Sequence, residues 1–274
     1  TKWQSPKGQR KQDVDSFWER KLLNFPKAPM IGRKAKGLEP LVRTVGWTKT
    51  KALTVKLETQ SIAALSKRAV GLNTTKTTML FTGFLEALCK VYDQDRIAFA
   101  SCPSRTEKGL DTFVGDHTLD PICIYIASET SSIEKLVKRT QTDLMDVISN
   151  LPADGARFGS AMDDKIIDYG GYPRQFRTYV ARAKNRENNS PFRSGFNAKA
   201  GEVQHIGSFE LSQIELHNGV FTVDELQIRV EDNGDEVFFL LGYDVDAYAP
   251  SEIEVLAREI CNVLDLIPLS MVAA

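Results

Sequence analysis

The side chains able to carry acid, base or nucleophilic chemistry are few and scattered. There are three histidines: His117 follows Val114-Gly115-Asp116, His205 lies in the polar stretch 197–207, and His217 stands beside Asn218-Gly219. Only His117 has an acid and a glycine next to it in a loop between two apolar runs, where a polar side chain can face a cleft. A structural or substrate-lining role suits it better than base catalysis, because no serine or cysteine is presented on a strand-turn-helix elbow for it to activate. His217 reads as a turn residue, and His205 has less to mark it. Neither a Walker-type run nor Gly-x-Gly-x-x-Gly occurs, so no phosphate-cradling loop is marked. Asp163-Asp164 and the pair Asp244 and Asp246 fit surface caps and strand ends better than catalytic acids or ligands.

Composition narrows the classes further. The 274 residues carry 35 basic and 36 acidic side chains, a net charge of −1, which gives no electrostatic case for nucleic acid or an anionic membrane as partner. Cys89, Cys102, Cys123 and Cys261 are far apart with no Cys-x-x-Cys, so buried free thiols are expected rather than a zinc site or disulfide framework. No signal peptide and no long uncharged apolar run is present, and a cytoplasmic location is expected. The chain begins Thr-Lys-Trp, so it is expected to be a piece of something longer.

The elements that must position these residues are clearest in the last quarter. Runs 208–216, 220–230 and 237–244 are separated by His217-Asn218-Gly219 and Asp232-Asn233-Gly234, and Asn-Gly between apolar-rich runs is a strong hairpin signal. An antiparallel meander is predicted. Its third strand is apolar on both faces and needs cover on each side. A closing helix follows, with Ile253, Leu256, Ile260, Val263 and Leu264 at helical spacing and Ser251 with Glu254 as a capping box.

Before this, residues 1–12 read as a linker, and Ser16 with Glu19 caps a helix presenting Phe17, Trp18, Leu22 and Leu23. Residues 31–37 read as a solvated basic loop. Strands are predicted at 41–47, 52–57, 96–102, 121–127 and 192–196. Helices are predicted at 61–70, stopped by Gly71, at 75–92, and from Ser131 to Ile148. The stretch 149–171 is irregular, and 172–186 has no assigned element.

Read in order, these segments resemble the condensation domain of nonribosomal peptide synthetases. Lys2-Trp3-Gln4, Asp15-Ser16-Phe17-Trp18 and Leu22-Leu23 are similar to that family's Trp-Gln linker and the helix after it. Thr74 to Phe81 resembles the helix start that follows its Gly-x-Thr, and Arg96 to Ala100, with Pro103 and Arg105, its strand and Gly-Arg turn. Phe113-Val114-Gly115 and Leu119-Asp120-Pro121-Ile122 resemble Val-Gly-x-Phe-Val-Asn-Thr-Leu-Pro-Leu-Arg. Arg186, Ser190, Pro191, Phe192, Phe196 and Asn197 resemble Arg-Asp-x-Ser-Arg-Asn-Pro-Leu-Phe and its continuation. The phrase from Gly242 to Tyr248 resembles the family's closing Tyr-Asn/Asp-x-Asp-x-Phe. Departures are the missing Asn-Thr after Val-Gly, the missing Arg after Ile122-Cys123, Ser190-Pro191 for Asn-Pro, and no His-Gln-Asp-x-Pro-Phe-Glu within 149–157. The family's His-His-x-x-x-Asp-Gly motif belongs to its N-terminal lobe, and this sequence has no adjacent histidine pair.

The resemblance implies an α/β chain of the chloramphenicol-acetyltransferase-like kind, an α+β sandwich with a mixed sheet flanked by helices, an antiparallel meander and a closing helix. Residues 13–274 would be its C-terminal lobe and 1–12 the inter-lobe linker. The family's lobes enclose a tunnel where a carrier-bound acyl thioester meets a carrier-bound amine. Implied partners are an N-terminal lobe and peptidyl or acyl carrier proteins with phosphopantetheine arms; no directly bound cofactor, metal, nucleic acid or membrane is implied. Motif position puts Gly115, Asp116, His117, Pro191 and Phe192 on the substrate-channel wall, and no catalytic residue in this chain. Two alternatives stand beside this reading: another acyltransferase of the same fold, acting on an alcohol, and a non-catalytic lobe that binds a carrier protein.

Overall fold

The computed structural model describes residues 9–23, 31–38, 50–101, 122–126, 132–150, 176–180, 203–206, 209–212, 225–232, 234 and 236–273. In chain order its elements are α1 (Gln9–Leu23), α2 (Gly32–Ala35), β1 (Thr50–Leu57), α3 (Thr59–Gly71), α4 (Lys76–Val91), β2 (Arg96–Ser101), β3 (Ile122–Ile126) and α5 (Ile133–Ser149). They continue with β4 (Phe176–Val180), β5 (Val203–Ile206), β6 (Phe209–Ser212), β7 (Leu226–Asp232), β8 (Val237–Asp244), α6 (Pro250–Leu264) and β9 (Pro268–Ala273).

Strand β8 is the axis of the fold. It pairs antiparallel with β7 on one side and β1 on the other, so Leu241 lies between Ile228 and Leu53, and Phe239 between Val230 and Val55. These six side chains share one face and are fully or almost fully buried. Helices α4 and α6 pack against each other and over this face, contributing Met79, Leu80, Phe84 and Leu88 from one and Ile253, Leu256 and Ile260 from the other. Burying such side chains is worth roughly 1.5–3 kcal/mol each, so this layer is a large source of stability among the described residues. On the opposite face Phe238, Leu240, Thr54, Lys56 and Arg229 are half-buried. The cover expected on both sides of β8 is complete on the helical side only, among the described residues.

The whole sheet is mixed, in the order β3-β2-β4-β7-β8-β1-β9, with β2, β4 and β7 mutually parallel. The mixed sheet flanked by helices is therefore present, but the meander is not a three-strand unit. Its second hairpin stands, with Gly234 in the left-handed region (φ 87°) at the turn between β7 and β8. Its first strand, β6, instead pairs with β5 in a separate two-stranded ribbon. A strand has two edges, and those of β7 are taken by β8 and β4. The first Asn-Gly turn lies outside the described residues, as do the strands predicted at 41–47 and 192–196.

Local signals set most boundaries with small shifts. The Thr75 hydroxyl caps α4 by accepting the Thr78 N–H (3.0 Å), and Ser132, rather than Ser131, caps α5. Helix α6 begins before Ser251: the Glu252 carboxylate accepts the Ala249 N–H (2.6 Å), while Glu254 pairs with Arg258. Helix α1 starts at Gln9, so Ser16 and Glu19 are exposed mid-helix residues, and the helix takes in the end of the stretch read as linker. The left-handed residue after α3 is Asn73 (φ 52°), not Gly71, which is still helical. The chain does not close on α6: Asp265 (φ 55°) reverses it into β9, which adds to β1 at the sheet edge.

Candidate functional site

Gly115, Asp116, His117, Pro191 and Phe192 lie outside the described residues, as do Asp163, Asp164 and His217. His205 is in β5, opposite Glu210 in the ribbon, and not in a polar loop. Cys89 and Cys261 are buried and in no disulfide, and burial pushes the Cys261 thiol up to about 11, far from nucleophilic use at neutral pH.

The structure builds a buried polar cluster elsewhere, at the end of the β7–β8 hairpin opposite its turn. The stretch read as a solvated basic loop is solvated only in its second half: Ala35, Lys36 and Gly37 are exposed, whereas Ile31 and Gly32 are buried and Arg33 is half-buried. Ile31 is 2% exposed within the core, Gly32 turns the chain through the left-handed region (φ 57°), and α2 lays Arg33 across the strand ends. The Arg33 guanidinium donates from Nη1 to Asp244 Oδ2 at 2.6 Å, and Asp244 is fully buried. The Arg33 backbone N–H donates to Glu225 Oε2 at 3.1 Å. Asp244 Oδ1 also accepts the Asp246 N–H (3.0 Å), holding the turn into α6. Asp244 is therefore a strand-end residue as read, but a buried one; its neighbour Asp246 is exposed.

Two tyrosines complete the cluster. Tyr248 is 1% exposed and stacks edge to face with Tyr92 at 6.4 Å between ring centres. Their hydroxyls are buried with no hydrogen-bond partner among the described residues. A Cβ on Gly32 would meet Glu225 Oε2 at 2.5 Å and Tyr248 Oη at 2.6 Å, so only glycine fits between them.

Burial pushes the Glu225 carboxyl up to about 7, against the stabilising pull of Arg33 and with help from nearby Asp244. Burial also raises the Tyr248 hydroxyl, reinforced by Glu225, Tyr92, Glu252 and Asp244, and raises that of Tyr92. A carboxyl titrating near neutrality has the proton affinity of a general base. Here α2 and Tyr248 lie over it, so the arrangement serves to hold the chain. A second candidate is an open cleft of about 380 Å³ lined by Ala64, Leu65, Lys67, Arg68, Leu264 and Asp265. Its guanidinium already donates to the Leu264 carbonyl (3.1 Å), which leaves few convergent polar groups for a ligand.

Sequence reasoning missed Arg33, Glu225, Tyr92 and Tyr248 as a group. Arg33 and Asp244 are 211 residues apart, and no spacing links them. The one available signal was the phrase from Gly242 to Tyr248, which supplies Asp244 and Tyr248 at once.

With this geometry in hand, the chain can be set beside known proteins. No family model matches the sequence, and no curated protein sequence does. Solved structures match along almost its whole length. The nonribosomal peptide synthetase cyclization-docking bidomain of EpoB from Sorangium cellulosum superposes with a TM-score of 0.67 at 13% identity, over 94% of this chain and 48% of that one. The chain has a condensation-domain-like fold. The structure describing condensation domain-mediated chain release from the enacyloxin polyketide synthase matches at TM-score 0.62 and 14% identity, over 93% of this chain and 46% of that one. The X-domain in complex with OxyB from teicoplanin biosynthesis matches at 0.65 and 13%, over 93% and 52%. This chain thus spans about half the length of those three solved chains. The condensation-domain-like, chloramphenicol-acetyltransferase-like α/β fold is the one implied by motif order. Among the described residues no helix is long and apolar enough to cross a membrane.

Proposed function

We propose that this chain is the C-terminal half of a condensation domain of nonribosomal peptide synthesis and forms one wall of its tunnel. In that tunnel a carrier-bound acyl thioester is attacked by a carrier-bound amine. The observation that carries the reading is the likeness over 93–94% of this chain to about half of each condensation-type chain. The absence of an adjacent histidine pair from the sequence supports it, because that motif belongs to the family's other lobe. Gly115, Asp116, His117, Pro191 and Phe192 line the wall on this reading, and no catalytic residue lies in this half. The phosphopantetheine arms belong to the carrier proteins, and the chemistry rests mostly on proximity: two reactants held in a dry channel gain effective concentration without a covalent step on the protein. Acyl transfer to an alcohol would use the same channel.

The test joins this chain to a lobe bearing His-His-x-x-x-Asp-Gly. It then follows amide formation between an aminoacyl thioester on one phosphopantetheinylated carrier and an amine on another. Product is expected from the two-lobe protein and none from the 274-residue chain alone. Product from the chain alone overturns the reading. Alanine at Asp116 and His117 lowers product if both line the wall; unchanged product removes them. A second reading, a non-catalytic lobe that recruits a protein partner, is favoured by the likeness to the X-domain held in complex with OxyB. Carrier or partner binding without product from the two-lobe protein would select it.

A further inference from the structure

One edge of the main sheet is chemically unlike the rest of the surface. Strand β9 is last in the strand order, paired with β1 on one side and with no strand among the described residues on the other. Three of the seven large apolar side chains that are exposed among the described residues fall within six positions here: Ile267 (49%), Leu269 (60%) and Val272 (58%). From Leu266 to Ala273 the sequence holds no charged residue. An open edge offers unpaired N–H and C=O groups, and it is commonly blunted by a lysine, a proline or a bulge. Pro268 and the register shift between Lys56 and Leu57 blunt only the start of this strand. From Ser270 to Ala273, β9 pairs regularly with β1, and its outer edge is unguarded.

We infer that β9 pairs antiparallel with β9 of a second copy of this chain, about a two-fold axis normal to the sheet. The inference stands apart from the functional reading above. Two observations select a copy of the chain as the occupant. A strand that pairs with itself sets its own charges against one another, and like charges directly opposite are destabilising, so an uncharged strand such as β9 is the kind that tolerates self-pairing. The same arrangement makes the two β1 strands antiparallel, which places the end of β1 bearing exposed Lys51 on the same side as the end of the copy's β1 that leads into Glu58. Those charges are opposite in sign; three strand spacings apart, about 14 Å, they orient the pair and add little affinity. A two-fold normal to the sheet sets residues of equal parity opposite one another. With Met271 opposite its copy, Ser270 lies opposite Val272, and Pro268, which has no N–H, stays outside the ladder. One short strand pair buries less than the roughly 1,200 Å² of a stable interface, so the dimer is weak and depends on concentration.

Sedimentation equilibrium of the 274-residue chain, from about 10 µM to about 1 mM, tests this. The mass is expected to rise from 30.6 kDa toward twice that value. Amide hydrogen exchange within Ser270 to Val272 is expected to slow with concentration, while that of β8 stays constant and reports an intact fold. Two double variants at exposed positions decide the pairing. Ser270→Lys with Val272→Lys sets lysine against lysine twice and is expected to weaken association about tenfold or more. Ser270→Lys with Val272→Glu sets lysine against glutamate twice and is expected to hold association within about threefold of wild type. A monomer at every concentration, as for an edge that serves a different polypeptide, would overturn the inference. So would association unchanged in the double-lysine variant, as for contact through another face, or association lost equally in both variants.

Discussion

The two ends of the β7–β8 hairpin pose the same chemical problem and meet different solvents. At the turn end, Asp232 pairs with Lys76 from the start of α4 at 2.8 Å, and both side chains keep about a sixth of their surface in water, 16% and 17%. At the other end Asp244 pairs with Arg33 at 2.6 Å; the guanidinium keeps 15%, much as Lys76 does, but the Asp244 carboxylate keeps none. Each pair joins the hairpin to a segment remote in sequence. At the turn end, solvent reaches both partners and can substitute in part for a lost one, so the pair contributes less than a fully buried one would. At the dry end, an acid deprived of its guanidinium is left uncompensated in a low-dielectric space. The lesson is that burial, rather than distance or charge, decides how much a contact of this kind matters.

Four substitutions sharpen or break this contrast. Asp244→Ala has the largest expected effect, a loss of about 3–5 kcal/mol in urea unfolding, because it removes the fully buried carboxylate that accepts from both the Arg33 guanidinium and the Asp246 N–H. A loss below about 1 kcal/mol would show the dry end behaving like the wet one. Glu225→Gln follows. The folded carboxyl holds its proton to about 7 while the unfolded one releases it near 4.5, so wild-type stability falls as pH rises through that window and is flat above it. The variant, having nothing to titrate, is expected to be about 3 kcal/mol more stable than wild type relative to their difference at about pH 4, once pH exceeds about 7.5. Tyr248→Phe removes a buried hydroxyl that has no described partner, and a gain of about 1 kcal/mol in thermal or urea unfolding is expected; an equal loss would reveal a bonded hydroxyl. Lys76→Ala is the smallest, within about 1 kcal/mol and reduced further in about 1 M salt.

How much of this was legible before the structure depends on the range of the interactions involved. Period-two and helical patterns lie within a few residues of one another, and they located β1, β2, β3, β8, α3, α4, α5 and α6 to within a few residues. Capping moved by one or two positions at α5 and α6 because Ser132 and Glu252 compete with equally plausible neighbours, Ser131 and Glu254, and local sequence does not separate them. The partner of β6 was misread because pairing depends on which strand edges are left open, and β4 had already taken the free edge of β7. The channel residues Gly115, Asp116, His117, Pro191 and Phe192 rest on motif order alone and lie outside the described residues.

By itself the sequence determined the class of the fold, the identity of the apolar strand at its centre, and the ordered set of phrases that points to a condensation-domain-like chain. Those properties are sums over local periodicity and side-chain size. Only the tertiary structure decided that the start of a basic glycine-bearing stretch would fold onto Asp244 and Glu225, two carboxyls that lie out of water. The reason is physical: desolvation depends on everything that surrounds a charge, and no residue carries that information in its own type or in that of its neighbours along the chain.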